Sequence, residues 1–500
     1  MAILSIILFF AVILFINRKN FGVKNFDDYA TSGGSFGMIS IALAVFSTWY
    51  VGASFTAWAG FSVGYGFIGV YVIAYGAMTL FIMYLVSEKT YLWGKKYKIN
   101  TQAELMDLRY RSKALRLIVG FSGVIFTFPW LLMEWITQGY VFSYATGGKL
   151  SPFWGMLIGV VVVLLYVATG GMRSVITANL FQGAFMFIVG TGLMFWLIYH
   201  FFGSFRGGMD LLNQNYPEVL TYPGPGWNPP TPYWTSIIVA SGLGGFMWPW
   251  VYNKLFAAES LRAVKKSTLL APILGIIFWA SFTFLGQVMH SMEYPRTHPE
   301  EAYMWIANEA GPLPLALMSV LIMAASVSTV SGIIQAMSTS ISSDLAKVIN
   351  RKISDQKALQ IARISVVILG LLALAMATVD NGKLIFIALL SYQGIIMLFP
   401  VVLLGLYWKR ANKEGAIAAI LIGTTMSMYL SVANPAFIGE YGWSSGIYGT
   451  IIAFLVMFVA GYLKPVEAHV EDLWKDIEVA REKSKRKVEE GNFKLESDVV

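Results

Sequence analysis

The chain has 500 residues, 57% of them hydrophobic and only 13% charged, with a mean hydropathy of +0.63. Soluble domains carry roughly 25% charged residues, so this composition excludes a soluble globule and indicates an all-α polytopic membrane protein. The formal charge of +8 would suit nucleic acid, but the basic residues are spread between apolar runs; there is no cysteine for disulfides, thiolate metal sites or nucleophiles, and the four scattered histidines form no metal cluster.

Residues 1–17 are apolar, and Arg18 and Lys19 follow at once. A signal peptide places its positive charge before the apolar core, so this run reads as a membrane helix with its N-terminus outside. Further runs of spanning length fall at 38–62, 66–87, 115–145, 152–169, 175–202, 234–256, 267–290, 313–340, 361–379, 384–408, 415–434 and 445–463. Thirteen transmembrane helices put the C-terminus in the cytoplasm of a multi-pass plasma-membrane protein. The positive-inside rule tests the count. Only Lys149, Arg206, Arg296 and Lys383, of 36 basic residues, lie in the assigned outer loops, and the rest, including Lys254–Lys266, lie inside. The Pro/Gly-rich stretch 203–233 reads as an outer loop too broken for a long helix. The mixed charges of 464–500 read as a short, solvated cytoplasmic helix.

Glycines interrupt two of these spans: Gly52, Gly60, Gly64 and Gly66 in one, and Gly242, Gly244 and Gly245, followed by Pro249, in the other. The two interrupted helices are five spans apart and so run in opposite directions. That is the pattern of an inverted repeat whose helix breaks form a binding site at the membrane midplane. Residues 313–347 load a spanning helix with Ser326, Ser328, Thr329 and Ser331. Ala325, Ser328 and Thr329 share one face at i, i+3 and i+4, and hydroxyl and carbonyl oxygens are what a small hard cation requires. The same hydroxyls can bond back to their own i−4 carbonyls or permit close packing. This segment alone leaves both readings open.

The stretch FGMISIALAVFSTWYVGASFTAWAGFSVGYG at 36–66, together with AASVST at 324–329, resembles the sodium:solute symporter family. DDYATSGGSFG, TQAELMDLRYRSKALRLI, GGMRSVITANLFQG, WPWVYNKLFAAES and LLGLYWKRANKEGAIAAILIG extend the likeness from about residue 28 to 420. The tryptophan-proline block looks closest to the monocarboxylate-type branch. The resemblance implies a five-plus-five inverted repeat with discontinuous core helices 1 and 6. Residues 1–35 would be an extra helix and loop, 36–203 the first repeat, 204–233 an extracellular loop and 234–408 the second repeat. Two C-terminal helices (409–463) and a cytoplasmic tail (464–500) would follow. It also implies Na+ as coupling ion, held by the carbonyls of Ser47, Tyr50 and Ala325 and the hydroxyls of Ser328 and Thr329. Gly52 can loosen the helix after Tyr50, and carbonyls freed in lipid must find a partner. In ITANLFQ, Asn179 stands where the family commonly has an aspartate beside the ion's inner exit, a departure that removes a cation-attracting charge.

For the solute, the first break offers Trp49, Ser54 and Phe55, and the second offers Phe246, Trp248 and Trp250. Aromatic rings beside one hydroxyl suit a small, partly apolar solute, whereas a sugar would need more amide or carboxyl side chains. Trp248 and Trp250 also read as interfacial anchors or packing, and Trp250 as a gate. Glu134 is the one carboxylate well inside a span, a functional group by default. It could receive an amine, relay a proton or pair with a hydroxyl, and Pro129, about one turn earlier, can turn it toward the cavity. With these features, the resemblance implies a sodium-coupled secondary active symporter expected to import a small organic solute, a monocarboxylate or amino acid, by alternating access. The alternative is a proton-coupled or uncoupled carrier of the same fold. A channel would need a repeated filter loop or charged ring, and an enzyme a nucleophile, metal cluster or phosphate loop. A transporter-derived sensor would need a signalling domain, for which the tail is short. The expected partners are the solute, sodium and the lipid bilayer, with no nucleic acid and no obligate protein partner.

Overall fold

Apolar chain in lipid must satisfy its amides internally, and helices do so here throughout. The computed structural model describes residues 1–379, 391–433 and 442–489, and among these the only β pairing is an isolated bridge between Phe36 and Ala258. Eight described helices are long and apolar enough to cross a membrane, nine if one bent pair is a single span.

In chain order, α1 (Ala2–Asn17) is followed by the short α2 (Phe26–Thr31) and then α3 (Met38–Trp49). The chain turns in 3-10 and π-helical pieces between Gly52 and Val70 before α4 (Tyr71–Tyr97). Next come α5 (Gln102–Tyr110), capped by the Thr101 hydroxyl, and α6 (Lys113–Ala145), which carries Pro129 inside it. The runs at 152–169 and 175–202 are not separated by a loop. They meet at a kink at Gly171 inside α7 (Pro152–Phe185), and the second run continues through a π-turn into α8 (Thr191–Phe202). Gly171, with φ 55° and ψ −143°, turns the chain within α7. A side chain there would strike the backbone of Tyr29, so only glycine permits the turn. The segment 203–233 is divided into short pieces. Ser204 caps an 11-residue helix, α9 (Phe205–Asn215), before a 3-10 turn at Pro217–Leu220.

The second half holds α10 (Thr231–Gly245), α11 (Pro249–Tyr252) and α12 (Leu261–Met289), then the short α13 (Glu293–Thr297) and α14 (Ala302–Glu309). After them come α15 (Pro312–Ser340), its π-wound end at Ile341–Ala346, α16 (Lys347–Ile349) and α17 (Asp355–Ala377). The span expected at 384–408 begins outside the described residues, as does Lys383; its described part includes α18 (Leu398–Tyr407). The paired α19 (Lys413–Val432) and α20 (Ser445–Leu463) follow, then α21 (Ala468–Glu489). Residue 434, where the run from 415 was expected to end, and the last residues of the tail are also outside the described set.

The fold is built around α15, in which every residue from Met318 to Ser340 is buried. A helix apolar on all sides belongs inside a bundle, and α1, α3, α6, α7, α14 and α17 pack around it. One end of the bundle carries α21, which was expected to be solvated; instead Val470, Leu473 and Ile477 are buried. The other carries α9 and the following turn.

Candidate ion and solute site

Helix α3 stops at Trp49. Tyr50 (φ −94°, ψ 85°) and the extended Val51 turn the chain, and a 3-10 helix restarts at Gly52–Phe55. The two halves, Met38–Trp49 and Gly52–Gly64, are bent by 48°. Gly52 allows a close approach, since a Cβ there would lie 2.5 Å from Ser326 Cβ and 2.8 Å from Glu134 Oε2. The restarted helix has amides with no partner in the preceding turn. Glu134 supplies it, accepting from Gly52 N–H at 3.1 Å and Ala53 N–H at 3.0 Å. Ser326 completes the staple: its hydroxyl donates to the Glu134 carbonyl at 3.0 Å and accepts from Gln138 at 2.9 Å.

The second break lies between Gly245 and Pro249, where Trp248 is extended (φ −62°, ψ 125°) and the proline opens α11. Thr79 donates to the Gly242 carbonyl at 3.1 Å, satisfying one group near the end of α10. A Cβ on Gly245 would collide with the Trp49 ring and the Thr79 hydroxyl, so the two breaks touch at this glycine.

Beside the first break, α15 presents its hydroxyl face to α3. Ser328 Oγ lies 2.7 Å from the Ser47 carbonyl and 2.9 Å from that of Ala325. Thr329 Oγ1 lies 3.2 Å from the Thr48 carbonyl and 2.9 Å from that of Ala325. The hydroxyls therefore bond back within α15 and also reach across to the carbonyls of α3. Ser47, Ala325, Ser328 and Thr329 are fully buried and brought together; Tyr50 is not joined to them by these bonds, and its ring packs on Phe46, Phe278 and Trp279. Asn179 donates to Thr48 Oγ1 at 2.9 Å, and Ser331 donates to Asn179 Oδ1 at 3.5 Å.

Two residues here escaped the sequence reading. Thr48 carries its carbonyl toward Thr329 and its hydroxyl toward Asn179. Lys254, counted above among the inner-loop charges, is 1% exposed. The 3-10 turn Asn253–Ala257 continues from α11 and folds Lys254 under the break, where Nζ donates to Thr48 Oγ1 at 2.9 Å and to the Trp250 carbonyl at 2.7 Å.

The aromatic candidates separate into groups. Trp248 and Trp250 stack with ring centroids 4.6 Å apart, and Tyr392 and Trp130 close around Trp248 at 5.3 and 6.2 Å. Trp49 stands against Tyr75 at 5.8 Å, and Phe246 against Tyr252 at 5.2 Å. Phe55 packs instead on Phe282 and Tyr303, and Ser54 is buried in the same turn. Buried and without hydrogen-bond partners are the indole N–H groups of Trp49, Trp130 and Trp250 and the hydroxyl of Thr127. Trp130 had a readable signal, since it precedes Glu134 by one helical turn. Tyr392 lies in a run whose beginning falls outside the described residues.

Two helices broken in mid-span and touching at their breaks, beside a buried oxygen cluster, are the architecture of a secondary transporter. The chain belongs to the sodium:solute symporter family, whose sequence profile matches residues 29–423. It is 24% identical over 459 residues to the sodium/pantothenate symporter of Escherichia coli, covering 90% of this chain and 94% of that one. A sodium/proline symporter of Staphylococcus aureus is 26% identical over 400 residues, 75% of each chain. An uncharacterized symporter of Bacillus subtilis, YhjB, is 21% identical over 431 residues, 86% of this chain and 88% of that one. Among solved structures, a substrate-bound, outward-open Na+-coupled sialic acid symporter superposes with a TM-score of 0.78 at 16% identity, covering 93% of this chain and 98% of that one. The nucleobase-cation-symport-1 transporter Mhp1 in a closed conformation gives 0.56, also at 16% identity, covering 89% and 97%. At that identity the likeness is one of fold. Family and fold are those of transporters, not enzymes.

Proposed function

We propose that this protein is a sodium-coupled symporter that imports a small monocarboxylate by alternating access. It crosses the plasma membrane thirteen times, with its N-terminus outside and α21 in the cytoplasm. Residues 36–203 and 234–408 form the inverted repeats, with core helices 1 and 6 discontinuous. The carrying observation is the contact of Ser328 and Thr329 on α15 with the carbonyls of Ser47 and Thr48 on the broken α3. Sodium bound among Ser47, Tyr50, Ala325, Ser328 and Thr329 would take over these bonds and hold α3 against α15. Trp49 follows Thr48 directly, so fixing this end of α3 also fixes a wall of the solute enclosure. That shared element is the coupling.

The solute reading rests on what the enclosure offers. Unpartnered indole donors suit an acceptor-bearing head group, and the rings of Trp248, Trp250 and Tyr392 suit an apolar body. Glu134 is engaged by two backbone amides, so it offers little to a solute amine. The pantothenate and proline named for two relatives both carry a carboxylate.

The test is radiolabelled uptake of short monocarboxylates, with amino acids and sugars as comparisons, into proteoliposomes holding a sodium or choline gradient. Monocarboxylate uptake should require sodium, and Thr329→Ala should raise the half-saturating sodium concentration about tenfold, the equivalent of one lost ligand worth about 1.4 kcal/mol. Superimposable sodium curves for wild type and Thr329→Ala would return the α15 hydroxyls to plain packing. Uptake driven by a pH gradient without sodium would favour the proton-coupled alternative.

A further inference from the structure

A lysine inside a membrane bundle is costly and ordinarily pairs with a carboxylate or reaches water. Lys254 does neither. Its ammonium is buried, and among the described residues no Asp or Glu forms an ion pair with it. Its two bonds go to neutral oxygens, Thr48 Oγ1 and the Trp250 carbonyl. Space is provided by Gly332, where a Cβ would lie 2.9 Å from Thr48 Cγ2 and 3.5 Å from Nζ.

Resting on the sodium reading above, we propose that Lys254 is a tethered competitor of the coupling ion, a fixed cation that keeps sodium affinity low and promotes the ion's departure. Thr48 is the shared element. Its hydroxyl accepts from Lys254 and Asn179, while its carbonyl accepts from Thr329. A sodium ion among Ser47, Ala325, Ser328 and Thr329 would thus sit one residue from the ammonium's anchor. Two unit charges roughly 7 Å apart, at an effective dielectric near 20, oppose each other by a factor of about fifty in binding. Asn179 brings no charge to offset this, although it donates to the same Thr48 hydroxyl as the ammonium, so a carboxylate at that position would stand near both. The ammonium is also carried by the turn that follows the second break, so rearrangement of α11 would move the repulsion toward or away from the ion. Sodium affinity then depends on the conformation of a helix that supplies none of the proposed ligands.

Binding of ²²Na⁺ to the purified full-length protein in nanodiscs tests this without knowledge of the solute. Lys254→Met, which keeps length and removes charge, should tighten sodium about tenfold or more. Lys254→Arg, which keeps the charge, should stay within about threefold of wild type. Asn179→Asp, which neutralises the ammonium without removing it, should tighten sodium as Lys254→Met does and guards against a Met variant that fails to fold. Equal sodium affinity in wild type, Lys254→Met and Asn179→Asp, with melting temperatures preserved, would overturn the competitor role and leave sodium coupling intact. Absence of ²²Na⁺ binding in all four proteins would overturn both.

Discussion

At the scale of single residues, Glu134 shows how a costly group is made tolerable. A carboxylate in hydrocarbon carries a large desolvation penalty, and here both oxygens are met by amides that the broken helix would otherwise leave bare. Side chain and break therefore stabilise each other. Glu134→Gln keeps one acceptor but turns an NH2 group toward a backbone donor, so the cost should be about 1–3 kcal/mol, the range for leaving a buried donor unsatisfied. Thermal unfolding in detergent should show a clearly lowered midpoint, with Glu134→Ala lower again. An unchanged midpoint combined with altered solute affinity would mean that the carboxylate serves the solute instead. Glu134 was legible as a candidate, because it stands alone deep in an apolar run. Its partners were not, because backbone amides carry no side-chain signature. Lys254 was hidden for a related reason: a basic residue at the end of an apolar run has the pattern of an ordinary inner loop.

At the scale of elements, the two breaks were readable from glycine clusters and a proline, since these residues free backbone groups wherever they occur. The break between the runs 152–169 and 175–202 was readable too; what was not is its tightness at Gly171, which comes from the close approach of Tyr29, far away in sequence. The tail is the larger departure. Val470, Leu473 and Ile477 make a narrow apolar stripe within a highly charged segment, and composition hides it. The stripe is fastened by Trp93 donating to the Leu473 carbonyl at 3.0 Å, by Arg481 on Glu88 at 2.7 Å and by Lys409 on Glu471 at 2.6 Å. His469 lies buried with Nε2 3.1 Å from the Arg109 carbonyl. Burial holds its pKa below the usual imidazole value, opposed by that carbonyl and by Glu467. A folded pKa below the unfolded one means that docking stability is full above about pH 6.5 and is lost as pH falls through the lowered value. Hydrogen exchange of α21 should therefore accelerate between pH 7 and 5.5, after correction for intrinsic rates, and His469→Gln should flatten that dependence. A wild-type profile as flat as the variant's would remove His469 from the docking.

At the scale of the whole molecule, the alternating access proposed above requires one end of the bundle to open while the other stays shut, and a charged cluster lies at the end that carries α21. Arg116 on α6 reaches Glu104 on α5 at 2.6 Å and Asp344, in the π-wound end of α15, at 3.1 Å. It also reaches Ser343 Oγ at 2.8 Å, and Thr101 donates to Asp344 at 2.8 Å. Removing one member of such a cluster leaves buried charge uncompensated, which costs more than the intact cluster contributes. Arg116→Gln should therefore favour states in which this end hydrates. Because the chain has no cysteine, one introduced thiol can report the change. Met247→Cys suits this role, since Met247 is fully buried and its sulfur lies 3.6 Å from Gln102 Nε2 at the start of α5. Maleimide labelling of Met247→Cys should rise several-fold when Arg116→Gln is added. If sodium binds where α3 meets α15 and favours the closed end, sodium should suppress that labelling. By linkage, Arg116→Gln must then weaken sodium, by at most the factor with which sodium shifts the opening equilibrium. Labelling that stays low in Arg116→Gln while the protein melts earlier would make the cluster a structural clamp. Labelling that rises but ignores sodium would separate the opening of this end from the ion.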